Sequence, residues 1–417
     1  MKFKCENIGM ISSADIEINK ISVIAGLNST GKSTIGKAFY CMFNGFSDIE
    51  NEIKRNLQES LSLQINAVLN PDFLFTTNDS VESYIKSLLL HRKDIDLDLV
   101  RKIAVQNLPE ELLNKITDEF CQLVINILRI PDEILKLNIV QRTFNQEFKG
   151  QLQNVFQIEK NSIVSLTVKN VLTDIEISQN RIKKINNEID IKSEAFYIDN
   201  PFIIDLISPM SSLLWSVIEK SKDYRSVLLN AIRPDKQEQQ NVIDEILVNE
   251  KVKEIEEKLE SVSNGSLTTD KVKGIVYHLN DKNVDLSLSN VSAGLKTFVI
   301  IKALLKNGAL KENGVLILDE PEIHLHPEWQ RLFAEIIVLI QKTFNMHILI
   351  SSHSPYFINA LDVYERKYGI NEECRFYLTI PDGEANKVED VSKNLEPIYK
   401  LLFEPMQALE NERASLS

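Results

Sequence analysis

Gly26-Leu27-Asn28-Ser29-Thr30-Gly31-Lys32-Ser33 has the spacing G-x-x-x-x-G-K-[ST] and stands between the apolar run Ile21 to Ala25 and a helical pattern opening near Lys32. Residues of these types in this order bind phosphate. Gly26 and Gly31 let the backbone turn its N–H groups inward, the helix start adds its positive dipole end, and Lys32 supplies a point charge. Ser33 is expected to hold magnesium through its hydroxyl. The whole contact set expected of this loop is Gly26, Asn28, Ser29, Thr30, Gly31, Lys32, Ser33 and Thr34. A glycine-rich turn without a ligand has little use for a lysine and a hydroxyl at this spacing.

A second chemical centre lies far along the chain. Val315-Leu316-Ile317-Leu318 reads as a buried strand ending in Asp319-Glu320, which delivers two carboxylates to the carboxyl edge of a parallel sheet, where nucleotides bind. In this pattern Asp319 completes the magnesium shell through water, and Glu320 orients and deprotonates the attacking water. The run His347 to Ile350 is another buried strand, followed by Ser351-Ser352-His353-Ser354-Pro355, so His353 can reach a γ-phosphate. His324 and His326 share one loop, but two ligands without a third make a weak metal site. Ser292-Ala293-Gly294-Leu295-Lys296 precedes the apolar helix Thr297 to Leu305. Ser292 either caps that helix or aims a hydroxyl at an anion, and both uses suit the same geometry.

The elements around these residues are α/β in pattern. Lys2 to Asn7, Ala14 to Ile18 and Ile21 to Ala25 read as strands, and a helix runs from Ser33 to Phe43, ended by Asn44 and Gly45. From Asp48 to about Gln157 the pattern is mostly helical, with Leu112, Leu113, Ile116, Phe120, Val124 and Leu128 near helical spacing. Val164, Leu166 and Val168, then Ile175 and Ile177, alternate as antiparallel strands do. Helical signals resume from Ile204 to Val262, with Val252, Ile255, Leu259 and Val262 on one face, and allow a short arm. Pro327 opens a helix whose apolar face is Trp329, Leu332, Phe333, Ile336, Ile337 and Ile340. The expected divisions are 1–47 with the phosphate loop, a helical insertion at 48–157, strands at 158–200, a helical segment at 201–265, and 266–417 with the remaining motifs.

Composition narrows the class. The chain has 417 residues, 43% hydrophobic and 26% charged, as ordinary globular proteins do. No apolar run reaches the length of a membrane span, and Glu6 stands where a signal peptide would be apolar, so a cytoplasmic protein is expected. Cys5, Cys41, Cys121 and Cys374 are too scattered for a disulfide framework or a zinc site. The net charge of −13 opposes indiscriminate attraction to nucleic acid, and Arg181, Lys183 and Lys184 read as a solvated helix face as readily as a basic groove.

Taken together, Gly26 to Thr34, Ser292 to Lys296, Leu318 to Pro327 and Ser352-His353-Ser354 resemble the ATPase head of the ABC superfamily. The likeness is to its non-transporter AAA_15/AAA_21-like branch, which holds OLD-type ATPases, RecF-like repair proteins and anti-phage ATPase subunits. It covers roughly the first 45 and the last 130 residues. The resemblance implies an ABC-type P-loop ATPase head with a mixed sheet, an antiparallel β subdomain and a helical insertion. It implies ATP and Mg2+ as cofactors, and a homodimer sandwiching ATP. Lys32, Ser33, Asp319, Glu320 and His353 then act in cis, and Ser292 and Gly294, with Lys296 beside them, in trans. The family's glutamine loop has two unranked candidates, Gln153 and Gln157. OLD-type nucleases continue into a Toprim domain, for which the stretch beyond His353 is too short, and Glu365, Glu372, Glu373, Asp382 and Glu389 look like scattered surface acids. The expectation is a stand-alone ATPase controlling a separate nuclease or toxin, as in Septu-like or retron-associated defence. A RecF-like DNA clamp and an ATP-holding scaffold are the alternatives, and Glu320 disfavours the scaffold.

Overall fold

Strands β1 (Lys2–Ile8) and β2 (Ile11–Glu17) alternate buried and exposed residues and pair antiparallel, whereas β3 (Ile21–Ala25) is buried at every position. That contrast separates a half-solvated sheet from one covered on both faces. In the computed structural model the described residues are 1–69, 79–187, 189–207, 215, 218–219, 221–234, 252–270 and 274–416. They form two compact units, Asp48–Arg142 and the remainder.

Helix α1 (Lys32–Phe46) follows the phosphate loop and runs past Asn44 and Gly45, where its end was expected. Asn44 does not stop the helix because its amide is engaged elsewhere, donating to the Ala195 carbonyl at 3.0 Å and accepting from the Ala195 N–H at 2.7 Å. The smaller unit is built from α2 (Ile49–Leu69), α3 (Asp79–Leu90), α4 (Leu97–Asn107), α5 (Glu110–Leu113), α6 (Asp118–Leu128) and the start of α7 (Asp132–Phe148). Its core gathers Leu61, Ile65, Tyr84, Leu88, Phe120 and Val124. The helical spacing read from Leu112 to Leu128 is broken in two, because the Thr117 hydroxyl accepts from Phe120 N–H and starts α6 afresh.

The larger unit carries an eleven-stranded sheet. Strands β4 (Ser162–Val168), β5 (Val171–Ser178) and β6 (Arg181–Asn186) extend the β1–β2 pair as an antiparallel lobe. Two-residue turns join them, Lys169-Asn170 and Gln179-Asn180, all at positive φ, which matches the right-handed strand twist. Arg181, Lys183 and Lys184 lie exposed on β6, an edge strand and not a helix, where cations discourage edge-to-edge pairing.

The chain then lays down β7 (Ala195–Ile198), α8 (Tyr224–Ile232), a separate three-stranded sheet of β8 (Gly265–Asp270), β9 (Gly274–Leu279) and β10 (Val284–Leu286), and α9 (Ala293–Lys306). It closes with β11 (Val315–Asp319), α10 (Pro327–Phe344), β12 (His347–Ser352), α11 (Pro355–Tyr368), β13 (Arg375–Asp382), β14 (Ala385–Asp390) and α12 (Glu396–Leu416). Neighbouring strands β13-β3-β12-β11-β7 are mutually parallel, so their carboxyl ends share one edge. Residues 252–260 are helical, and Val252, Ile255 and Leu259, on the face read as a short arm, join the main core instead because that face is buried against it, with Val262 packed alongside; residues 208–214, 216–217, 220 and 235–251 of the Ile204 to Val262 run lie outside the described residues. No helix among the described residues is long and apolar enough to cross a membrane.

Glu335 pins three helical segments behind this sheet. Its carboxylate accepts from Lys258 at 3.0 Å, Lys367 at 2.6 Å and Tyr368 at 2.8 Å. Burial alone would raise its pKa, but the bonds from Lys367, Lys258 and Tyr368 outweigh burial and bring it to about 2. A carboxyl with a depressed folded pKa stabilises above its unfolded value and loses that contribution as pH falls through the folded one. Glu335→Gln is therefore expected to lower stability at neutral pH by on the order of 2 kcal/mol, allowing for the exposure of Lys367. Urea unfolding at pH 7 and at pH 3 checks this, since the gap between parent and variant should shrink at the lower pH.

Candidate functional site

The phosphate loop joins β3 to α1 at the shared edge. Ser29 at φ 62° and Gly31 at φ 92° turn successive N–H groups inward as an anion nest requires. Gly26 has a second reason to lack a side chain, since a Cβ there would lie 1.8 Å from the Thr379 hydroxyl of β13. Thr379 braces the loop, its hydroxyl 2.7 Å from that of Thr30, which donates in turn to the Leu27 carbonyl at 2.9 Å. Asn28 and Ser29 are exposed, and Thr34 packs beneath the β1–β2 turn, within 2.8 Å of where a Cβ on Gly9 would lie.

Lys32 is 4% exposed and bends back over its own loop. Its ammonium donates to the carbonyls of Gly26 at 3.1 Å and Leu27 at 2.8 Å, and stands 3.4 Å from Glu320. Glu320 follows β11 with a left-handed backbone, φ 50°, held by its N–H donating to the Ser351 carbonyl at 2.9 Å. That conformation costs a non-glycine residue about 1–3 kcal/mol and turns its carboxylate toward the loop. On its other side the His353 Nδ1 lies 3.2 Å from the same Glu320 oxygen. Lys32, Glu320 and His353, spread over most of the chain, thus meet around one carboxylate.

Asp319 ends β11 with both oxygens engaged, Oδ2 accepting from the Tyr197 hydroxyl at 2.7 Å and Oδ1 from Ser351. Glu322, buried, accepts from the Ser352 hydroxyl at 2.5 Å and from the His353 N–H at 3.2 Å, which ties the turn after β11 to the end of β12 and sets the height of His353. Burial raises its pKa, against the pull of those bonds. Ser33 and Asp319 offer oxygen ligands only, the donor set a hard cation such as Mg2+ takes. Among the described residues no group of three or more His, Cys, Asp or Glu could hold a metal ion. His324 stacks edge-on to Phe202 and His326 accepts from the Glu328 N–H at the start of α10, so the two imidazoles serve separate contacts.

The remaining candidates divide. Ser292 is the exposed N-cap of α9, yet its side chain makes no cap bond. Gly294 is fixed by packing, since a Cβ there would lie 2.7 Å from the His324 carbonyl and 3.2 Å from the Trp329 ring. Lys296, expected beside them at a nucleotide, turns inward instead. It is 1% exposed, donates to Asp205 at 2.7 Å and lies 4.6 Å over the Phe202 ring. A buried ammonium needs a partner, and Asp205, on the short turn after β7, supplies it.

The two glutamines are likewise committed elsewhere. Gln153 donates to the Lys160 carbonyl at 2.6 Å and accepts from the Asn180 N–H at 2.8 Å, and Gln157 accepts from the Lys160 ammonium at 2.8 Å. The loop that stands beside Asp319 is Asp199-Asn200, because Ile198 pairs with Leu318 in register. A cavity of about 360 Å³ opens there, lined by Asp199, Asn200, Asp319, Glu320 and His324. Polar residues closing a buried strand were the available signal for Asp199. Tyr197, Ser351 and Thr379 gave none.

A glycine-rich loop on a parallel sheet edge, facing a paired acid from the strand two places along that edge, defines an α/β P-loop ATPase head with a mixed sheet. Residues 1–358 match the AAA_15 family, described as an AAA ATPase domain, and the chain belongs to it. It is similar to Endonuclease GajA of Bacillus cereus (strain HuB5-5), 24% identical over 390 residues covering 81% of this chain and 52% of that protein. It is also similar to the Retron Ec83 probable ATPase of Escherichia coli, 33% identical over 20% of this chain and 17% of that one. Septu protein PtuA of Bacillus thuringiensis is 29% identical over 24% of this chain and 28% of its own length. The chain thus spans about half or less of the length of these relatives. Among solved structures, an SMC head bound to the C-winged helix domain of ScpA aligns over 95% of this chain and 98% of its own, with TM-score 0.44 and 12% identity.

Proposed function

We propose that this chain hydrolyses ATP with Mg2+ as an ATP-sandwich homodimer and thereby controls a separate effector, a nuclease or toxin, in bacterial anti-phage defence. The observation that carries the catalytic part is the Glu320 carboxylate, 3.4 Å from the Lys32 ammonium and 3.2 Å from His353 Nδ1. A base between the phosphate-loop lysine and a γ-phosphate sensor can take a proton from a water aimed at the terminal phosphate. The loop N–H groups and Lys32 hold the phosphates, Ser33 and Asp319 hold Mg2+, and His353 bonds the γ-phosphate. Magnesium, when bound, neutralises charge on the β- and γ-oxygens.

The trans role falls to Ser292 and Gly294. An uncommitted hydroxyl at the start of a 14-residue helix suits an anion brought by a second copy. Lys296 is left out of this reading because Asp205 already neutralises it. Ser292→Arg is expected to leave ATP in each chain's own loop and to abolish ATP-dependent dimerisation and hydrolysis. Sedimentation velocity with and without ATP checks it, and a variant that still doubles its mass would remove Ser292 from the interface.

The defence assignment rests on the sequence. The motif resemblance points to Septu-like and retron-associated ATPases, and relatives bearing those names match the sequence. GajA is named an endonuclease, so a nuclease partner or domain fits the same setting, and in this reading the nuclease is carried by a separate chain in the cytoplasm. Of the acids after α10 read as lying on the surface, Glu365 is instead buried, because its face of α11 packs on the core, and Asp382 accepts from Ser12. Co-purification with the adjacent gene's product, weighed by native mass spectrometry with and without ATP, tests the effector link. A heteromer that ATP alters supports it, whereas a lone dimer that retains duplex DNA would replace it with the repair-clamp reading.

A further inference from the structure

Tyr197 is 0% exposed and sits in β7, in register with Ile317 of β11, two residues before Asp319. Its ring is wedged between that strand and α1, where Gly36 makes the room: a Cβ on Gly36 would lie 3.0 Å from the tyrosine ring and 3.4 Å from Ile317. Tyr40 and Tyr224 pack edge-on against it, at centroid distances of 6.2 and 4.9 Å. Held on three sides, the ring aims one polar atom, its hydroxyl, at Asp319 Oδ2 at 2.7 Å. An apolar slot of this kind would suit phenylalanine equally well but for that contact.

We propose that Tyr197 is a positioning residue for the metal site: it fixes the Asp319 carboxylate in one orientation for a divalent cation bound with nucleotide. The proposal rests on the ATPase reading of this site and adds to it a residue that touches neither nucleotide nor metal. Asp319 has two lone-pair directions on each oxygen. Tyr197 and Ser351 occupy one apiece, which leaves the remaining directions for a metal-bound water and stops the carboxylate rotating. Outer-shell partners of this sort commonly set metal affinity by about 10 to 100-fold.

The test is Tyr197→Phe, which keeps every ring contact and removes one oxygen, beside Tyr40→Phe, which removes a hydroxyl from the same aromatic cluster that donates instead to the Lys222 carbonyl. Mn2+ affinity is measured by electron paramagnetic resonance in the presence of a non-hydrolysable ATP analogue, and affinity for that analogue is measured separately in EDTA. Tyr197→Phe is expected to weaken Mn2+ by about 10-fold or more while leaving metal-free nucleotide affinity at the parent value, with Tyr40→Phe like the parent in both. Equal Mn2+ affinity in Tyr197→Phe and parent would overturn the proposal. So would an equal loss in metal and metal-free binding, or the loss of cooperative unfolding, either of which assigns the hydroxyl to stability. A parent chain that holds no nucleotide would instead bring down the ATPase reading itself, and this proposal with it.

Discussion

Glu320→Gln is expected to keep ATP bound and to slow its hydrolysis by about 100 to 10,000-fold, the span general-base assistance commonly supplies. The substitution is nearly isosteric, and it keeps a side chain in the left-handed backbone at φ 50°, so the turn after β11 carries the same strain in parent and variant. What changes is charge. The Lys32 ammonium loses its carboxylate neighbour at 3.4 Å, and His353 loses one at 3.2 Å, which leaves both cationic or neutral groups free to face phosphate. Nucleotide affinity should therefore hold or rise while turnover falls. Single-turnover hydrolysis with protein in excess isolates the chemical step from product release. A variant that cleaves ATP at the parent rate under those conditions would take Glu320 out of the mechanism.

Lys32→Ala should act on the opposite quantity. The ammonium donates to the carbonyls of Gly26 and Leu27, so it is a latch on the loop as well as a charge. Phosphate oxygens are better acceptors than carbonyls, and the lysine should swing to them when ATP enters. Removing it forfeits charge-assisted bonds of roughly 1.5–3 kcal/mol each. That corresponds to at least about a 10-fold and up to about a 100-fold loss in affinity per bond. Binding of a fluorescent ATP analogue, with thermal unfolding as the control for the vacated buried site, checks it. Undiminished affinity would sink the assignment of residues 26–33 as the phosphate loop. The two variants together separate binding from chemistry, because Glu320→Gln is expected to keep the binding that Lys32→Ala removes.

Lys32, Asp319 and Glu320 were legible because each depends on a few adjacent residues. A strand, a glycine turn and a helix start make the phosphate loop, and a strand end makes the acid pair. His353 followed from the same logic, as the residue beyond a buried strand. The reading failed where a side chain's partner lies far off in sequence. Lys296 looks like part of a surface signature until Asp205, on the turn after β7, is seen to take its charge. Asn44 looks like a helix stop until Ala195 is seen to occupy its amide. Gln153 looks available until the Asn180 turn closes on it.

By itself, then, the sequence determined the local frames in which the candidate phosphate-binding residues stand, since strand-turn-helix geometry is set by backbone sterics and short-range hydrogen bonds. Only the tertiary structure decided how those frames face one another. Pairing β7 beside β11 brings Tyr197 under Asp319 across 122 positions, and β13 beside β3 brings Thr379 under the loop. No periodicity announces such contacts, because a buried hydroxyl or charge is assigned its role by whichever strand happens to pack against it, and that choice is made by the whole core at once.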